Sequence, residues 1–310
     1  MATLTALKKE LEFNTELVGL IDVMKGIAAS QFQALQKRKE RFRKFLDSFA
    51  SFFELIDFSS VAHPFASVGT ERMGIVMVTS DEGFMGGLNT HVISAGLAER
   101  KNHAPSRKSE ADLRDKLIIV GERGAAYLKG LGEEFIAFEG ISEENKYELA
   151  VKLKDYIMQQ SKEGKIGKVV LSYPHPVSFT FQKVEVVTIL PCTELFEGQP
   201  SAISHQPSAK DFKLKAESRQ LRAEKVIIES SMDAIIEHLV AEWITQKLYE
   251  VFDNSKLSEF AARTVHLEVS YQNLSELRKV LRYQYFRAKH GFIDRGMRET
   301  FASQLLRRRK

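Results

Sequence analysis

The sequence predicts an α/β fold carried by long helices: an antiparallel coiled coil of N- and C-terminal helices with an inserted Rossmann-like α/β domain. Three observations predict it. A seven-residue apolar repeat runs through residues 4–58, a second fills the stretch from about Glu217 to Lys310, and between them short apolar strands alternate with helical segments. The boundaries that follow are a coiled-coil helix over 1–60, an α/β domain over 61–196, a linker over 197–214 and a second coiled-coil helix over 215–310.

In the first helix, one register places Leu4, Leu11, Val18, Lys25, Phe32, Lys39, Leu46 and Phe53 at one seam position. Leu7, Asn14, Ile21, Ala28, Leu35, Phe42, Phe49 and Ile56 fall at its partner position. Thirteen of these sixteen are apolar and no proline interrupts them, which fits a coiled coil or a long bundle helix. The Phe-rich half from Phe42 to Phe58 calls for burial against something bulky. Around Ile27, Ala28, Ala29 and Ser30 small side chains dominate, so the closest helix crossing is expected there. The helix ends before Pro64, which disfavours the helical conformation at His63.

The α/β stretch has a different pattern. Met73–Thr79, Lys116–Val120 and Lys168–Tyr173 are short apolar strands, separated by helices over Leu88–Arg100, Glu122–Gly130 and Glu143–Gln160. Near-continuous apolar strands between helices predict a parallel sheet covered on both faces. Phe179–Leu190 alternates partially and ends at Pro191, which marks an edge or antiparallel strand. His175, between Pro174 and Pro176, is expected in a rigid strand-end loop. The polar segment 197–212 with Pro200 and Pro207 returns the chain to helix.

The loop after the first strand, Ser80-Asp81-Glu82-Gly83-Phe84-Met85-Gly86-Gly87-Leu88-Asn89, invites comparison with a phosphate cradle. It lacks GxxxxGK[ST] and GxGxxG, no lysine follows, and Asp81 with Glu82 would repel phosphate. Gly121-Glu122-Arg123-Gly124 also lacks the needed spacing. Asp81, Gly83, Gly86, Gly87 and Asn89 are therefore assigned to a structural turn. No catalytic grouping emerges elsewhere. None of the eight histidines pairs at i and i+4, GxSxG is absent, and Asp233 with Glu237 reads as a solvated helix face. The lone Trp243 is expected to pack under the seam.

At 310 residues and 44% apolar composition, the chain can hold two domains with a real core. Its apolar runs are too short and too charged to span a bilayer, and Met1–Phe13 lacks the apolar middle of a secretory signal. A single cysteine, Cys192, excludes an internal disulfide and a multi-cysteine metal site, and is expected as a small apolar filler. The net charge of +4 is concentrated at residues 37–41 and 307–310. These basic spots are solvated helix ends, or surfaces for an acidic protein, an anionic membrane or nucleic acid; no zinc-finger spacing or RNA-binding loop supports the last.

The C-terminal stretch repeats Phe260, Leu267, Leu274 and Leu281 every seven residues, with Val265, Leu277 and Tyr285 on the same face. No proline breaks it, and Gly291 and Gly296 weaken a helix by roughly 1 kcal/mol each without forbidding it. Two readings stay open: one helix on the order of 140 Å long, at 1.5 Å per residue, or bundle helices jointed at Asp253-Asn254-Ser255.

Three stretches resemble the gamma subunits, the central rotor stalks, of F-type ATP synthases. VMKGIAASQFQALQKR (Val23–Arg38) is similar to the family's Ala-Met and Val-Ala-Ala-Ser segment. VTSDEGFMGGLN (Val78–Asn89) is close to the family's VTSD-x-G-L-C-G-G-L-N, with Phe84-Met85 in place of Leu-Cys. SEFAARTVHLEVSYQNLSEL (Ser258–Leu277) resembles SEHAARMxAMxxAxxNA. The resemblance implies a non-enzymatic rotor, one copy per complex, transmitting torque between a membrane c-ring and a catalytic hexamer of alpha and beta subunits, with the epsilon subunit as a further partner and no nucleic acid. It implies that this chain binds no cofactor and that ATP or ADP with Mg is held on the partners. Partner contact and torque transmission are carried to Met24, Lys25, Lys289, His290, Asp294 and Arg295. The setting expected is peripheral, on the cytoplasmic side of a bacterial plasma membrane in preference to an organellar inner or thylakoid membrane.

The chain departs from the family pattern at Gln31, where lysine is common, and at His290, Asp294 and Gly296, where the family has Gln, Thr and an acidic residue. It ends in Arg307-Arg308-Arg309-Lys310 rather than a small apolar tip. Such charges are expected in solvent or against carboxylates. The contrasting functional class is a coiled-coil scaffold or adaptor with an α/β head.

Overall fold

The computed structural model describes residues 4–53, 65, 70–103, 115–192 and 232–308, with backbone alone at 38–53 and 232–233. The elements are α1 (Leu4–Phe53), β1 (Met73–Val78), α2 (Leu88–Asn102), β2 (Lys116–Val120), α3 (Glu122–Gly130), β3 (Phe135–Phe138), α4 (Lys146–Lys162), β4 (Lys168–Pro176), β5 (Gln182–Leu190) and α5 (Met232–Arg308). The side chains of the Phe-rich stretch 42–58, the helix end at Pro64, the linker at 197–214, residues 215–231 and the final Arg309-Lys310 lie outside the described residues. Two compact units divide the chain, one of Phe32–Ala262 and one of Met1–Gln31 with Arg263–Lys310.

The first of these units is built on a five-stranded sheet of order β3-β2-β1-β4-β5. β1 pairs in parallel with β2 and β4, β2 in parallel with β3, and β5 runs antiparallel to β4 as an edge strand. Successive side chains of a strand point to opposite faces, and here both faces are covered, which is why the strands read as continuous apolar runs. Met73, Ile75 and Met77 meet Val92 and Ile93 of α2 and Leu128 of α3. Val76, Val78, Ile118 and Leu171 face α4, through Leu149, Leu153 and Ile157, and α5, through Ile236, Val240, Ile244, Leu248 and Phe252. The first part of α5 is thus a layer of the α/β core, presented by a four-residue apolar spacing. Trp243 packs against that core and Cys192 is buried within it.

Several sequence expectations change at the margins. β3 was not anticipated: at four residues, on the edge and with Ile136 and Ala137 exposed, it carries too little pattern to be read. α4 starts at Lys146 rather than Glu143, because residues 142–145 form their own turn. In it Ser142 N–H donates to Asn145 Oδ1 (2.7 Å) and Asn145 N–H to Ser142 Oγ (3.1 Å). β5 begins at Gln182, because residues 178–181 close a hairpin in which Ser178 N–H donates to the Phe181 carbonyl. β4 continues to Pro176 and takes His175 into the strand. Its pairing with β1 ends at Ser172, so Pro174 and Pro176 pair with β5 alone, beyond the reach of the central ladder. There His175 Nδ1 lies 3.1 Å from Glu185 Oε2, which also accepts from the buried Tyr173 hydroxyl at 3.0 Å. Burial first, and then the Glu185 charge, hold that phenol well above its ordinary pKa.

No joint interrupts α5 at Asp253-Asn254-Ser255: all three are buried inside a continuous 77-residue helix. Their polarity reflects partners rather than a break. Asp253 accepts a 2.5 Å ion-paired hydrogen bond from Lys146 Nζ, and the Asn254 side chain bonds to Tyr173. Nearby, Ser258 Oγ donates to the Pro174 carbonyl (3.0 Å), and Phe32 and Leu35 of α1 cluster with Leu257 and Ala261.

The second unit consists of helix against helix. Along α1, Leu7, Asn14, Val18, Ile21 and Ala28 are buried, while Leu4, Leu11 and Lys25 of the same register are half-buried. On α5, Leu267 and Leu281 are buried, and Leu274 and Tyr285 half-buried. Leu277 is corrected: it is 45% exposed, and Tyr271, Ser275 and Arg278 occupy the seam instead. The cause is geometric, since a seven-residue repeat from Leu267 reaches 271, 274, 278 and 281, and 277 falls on the shoulder. Within this unit α1 and α5 pack together in coiled-coil fashion, with Lys25 paired to Glu268 across them.

Candidate functional site

The glycine loop is organised from the ends of β1 and β2. Thr79 N–H and Oγ1 both donate to the Val120 carbonyl (2.9 and 2.7 Å). Asn89, in the first turn of α2, accepts from Ser80 N–H at 3.2 Å and donates to Ser80 Oγ at 2.9 Å. Asp81 Oδ1 accepts from the Glu122 N–H at 2.8 Å, so a carboxylate already occupies the N-terminus of α3 where a phosphate would sit. Phe84 (φ 65°) and Gly86 (φ 61°) take the left-handed conformation; Gly83 and Gly87 do not. Met85 turns inward against Leu88 and Ala262, and Phe84 outward, over a cavity of about 430 Å³ lined also by Glu82, Arg123 and Tyr127.

Sequence reasoning missed the glycines that hold this loop against the next ones. Gly121 has φ 99°, and a Cβ there would meet the Thr79 carbonyl oxygen at 2.4 Å; at Gly140 it would meet Asp81 Oδ2 at 1.7 Å. Gly121-Glu122-Arg123-Gly124, set aside as a failed phosphate motif, is thus a close-approach motif. Gly121→Ala is expected to cost at least about 1–3 kcal/mol from backbone strain alone, seen as a lower midpoint in chemical unfolding, while Gly130→Ala, with open space around it, leaves the midpoint unchanged or higher.

The close-crossing residues divide. Ala28 is 1% exposed and Ala29 half-buried, whereas Ile27 is 54% exposed and Ser30 faces solvent. Ala28→Phe is therefore expected to lower stability by about 1–3 kcal/mol through overpacking, and Ile27→Phe to leave thermal unfolding unchanged. Met24 is half-buried beside it. Lys25 bonds within the chain: its ammonium lies 2.9 Å from Asp22, 3.0 Å from Glu268 and 4.4 Å from the Tyr271 ring centre. The hydrogen bonds it donates to Asp22 and then to Glu268 raise its pKa above the ordinary lysine value.

Lys289, His290, Asp294 and Arg295 are all exposed on α5, and their side chains form no ion pair among the described residues. From Lys289 to Arg308 every side chain is exposed, including Phe292, Met297, Phe301 and Leu305. Among the described residues no three His, Cys, Asp or Glu side chains converge as a metal site, and no helix is long and apolar enough to cross a membrane.

Comparison with known proteins agrees along the whole chain. A family model for ATP synthase matches residues 3–301. The ATP synthase gamma chain of Chlorobaculum tepidum is 25% identical over 309 residues, covering 97% of this chain and 98% of that protein. The gamma chain of Clostridium acetobutylicum is 25% identical over 301 residues, with 96% of each covered. Among solved structures, the rotor of the Euglena gracilis mitochondrial ATP synthase superposes with a TM-score of 0.59 at 15% identity, over 94% of this chain and 98% of that one. The central stalk and c-ring structure of the Tetrahymena thermophila mitochondrial ATP synthase gives 0.55 at 20% identity, over 81% and 99%. The sequence match over residues 3–301, on a pair of long packed helices and a mixed α/β sheet, places this chain in the ATP synthase gamma family, the non-catalytic central stalks of the F-type enzyme.

Proposed function

We propose that this chain turns inside a catalytic head of alpha and beta subunits, is driven from a membrane c-ring, and meets an epsilon subunit on the way. ATP or ADP and Mg belong to those partners. The observation that carries the proposal is the run from Lys289 to Arg308, a continuous helical segment whose apolar and basic side chains are exposed, with no cover among the described residues. Such a surface is matched to a surrounding sleeve rather than to its own fold. In the cycle, the rotor presents a different face to each catalytic subunit in turn and so biases which one is open, a coupling between two distant sites through one stiff element. Met24 and Lys25 act near the crossing, and Lys289, His290, Asp294 and Arg295 at the outer segment.

The α/β unit is proposed to be Rossmann-like in the sense of its strand order and its helices on both faces, with Asp81, Gly83, Gly86, Gly87 and Asn89 serving the turn rather than a nucleotide. The setting is peripheral to an energy-coupling membrane. The curated relatives named above are bacterial, which favours the plasma membrane; the solved structures are mitochondrial and give no support to ranking an organelle lower. Affinity purification of the tagged chain from its native membrane tests the proposal. Co-elution with three copies each of two nucleotide-binding subunits is expected, and a stable monomer or homodimer without them would refute the stalk in favour of a scaffold.

A further inference from the structure

The helix pair of residues 4–31 and 263–308 contains two buried polar atoms without partners. Asn14 is 4% exposed, at a seam position otherwise filled by Leu7, Ile21 and Ala28, and its Oδ1 has no hydrogen-bond partner. Ser275, on the seam face of α5, likewise leaves its Oγ buried and unpartnered. A buried acceptor without a donor loses its bonds to water and regains nothing, so any conformation that wets it is favoured relative to one that does not. Leu11 and Leu17 in this part of the seam are only half-buried, while Leu7, Val18 and Ile21 stay buried around Asn14. On the other side of Ile21 the pair is clamped: Lys25 spans Asp22, Glu268 and the Tyr271 ring, and Ala28 is almost fully buried.

We propose that Asn14 and Ser275 make this part of the coil a built-in opening point. The Leu4–Leu20 segment of α1 separates locally from α5, hydrating both atoms, while the Lys25 clamp stays closed. A seam of apolar residues throughout would instead hold the two helices together along their whole pairing.

Hydrogen–deuterium exchange of the full chain, resolved by peptide, tests it. In the wild type, peptides within 7–20 are expected to exchange at least about tenfold faster than those within 24–31. The Asn14→Val, Ser275→Ala double variant is expected to slow the first group about tenfold and leave the second unchanged. Ser275→Ala alone removes only a hydroxyl, so it gives the same direction with smaller slowing should the double variant misfold. Equal protection of the two groups in the wild type, or no slowing in either variant, overturns the proposal.

Discussion

Asp253→Ala is expected to destabilise the α/β unit by about 3 kcal/mol, within the range found when one partner of a buried ion pair is removed. Lys146 and Asp253 are 5% and 6% exposed, and their 2.5 Å contact ties α4 to α5 across 107 residues of sequence. Removing the carboxylate leaves the ammonium with Glu143, at 3.7 Å and largely exposed, and with the Tyr249 ring, 4.5 Å from its centre. Neither replaces a buried anion, though both hold the loss to the lower end of the range. The paired double variant Lys146→Met, Asp253→Leu is expected to recover most of it, because the charge is then removed along with its partner.

The pH dependence of this effect has a definite sign. Burial pushes the Lys146 pKa down, and the Asp253 carboxylate, followed by Tyr249 and Glu143, more than reverses this, so it lies above the ordinary lysine value. A raised folded-state pKa contributes stability that is whole below the unfolded value of about 10.4 and is lost as pH rises through the folded value. The gap between wild type and Asp253→Ala should therefore be flat through neutral pH and shrink in alkaline buffer, as the unpaired Lys146 sheds its proton. A gap that widens there would show that the pair does not carry the effect.

The helix registers were legible because burial writes a period into the sequence. Each α1 residue from Leu7 to Leu35 at the partner position is buried where described, Asn14 included. The Ile236, Val240, Ile244, Leu248, Phe252 spacing was legible as helix and illegible as to partner, since a sheet face and a second helix impose the same stripe. What failed to read were relations between distant positions. Gly140 looks like an ordinary loop glycine until Asp81 is placed against it, and Asp253 like a hinge until Lys146 is. The glycine loop was excluded as a phosphate site because it lacks the glycine motifs and a lysine, and because Asp81 and Glu82 would repel phosphate. The structure adds the stronger physical reason, that Asp81 already caps α3.

The triple variant Lys289→Ala, His290→Ala, Asp294→Ala separates what the chain needs from what its partners need. All three side chains are exposed on an unbroken helix, and alanine is the strongest helix former, so thermal unfolding of the isolated chain is expected to change by no more than about 0.5 kcal/mol. In the assembled enzyme the same three changes are expected to lower ion-coupled ATP synthesis about tenfold, equivalent to about 1.4 kcal/mol of lost interaction in the limiting step. Uncoupled hydrolysis by the head alone should fall less, because catalysis resides on the surrounding subunits. Wild-type coupling in the triple variant would remove these residues from the torque path. A fall in the isolated chain's stability would instead mean that they pack against this chain. Their side chains form no ion pair among the described residues, so a loss confined to coupling is read as a loss of contacts with the partners.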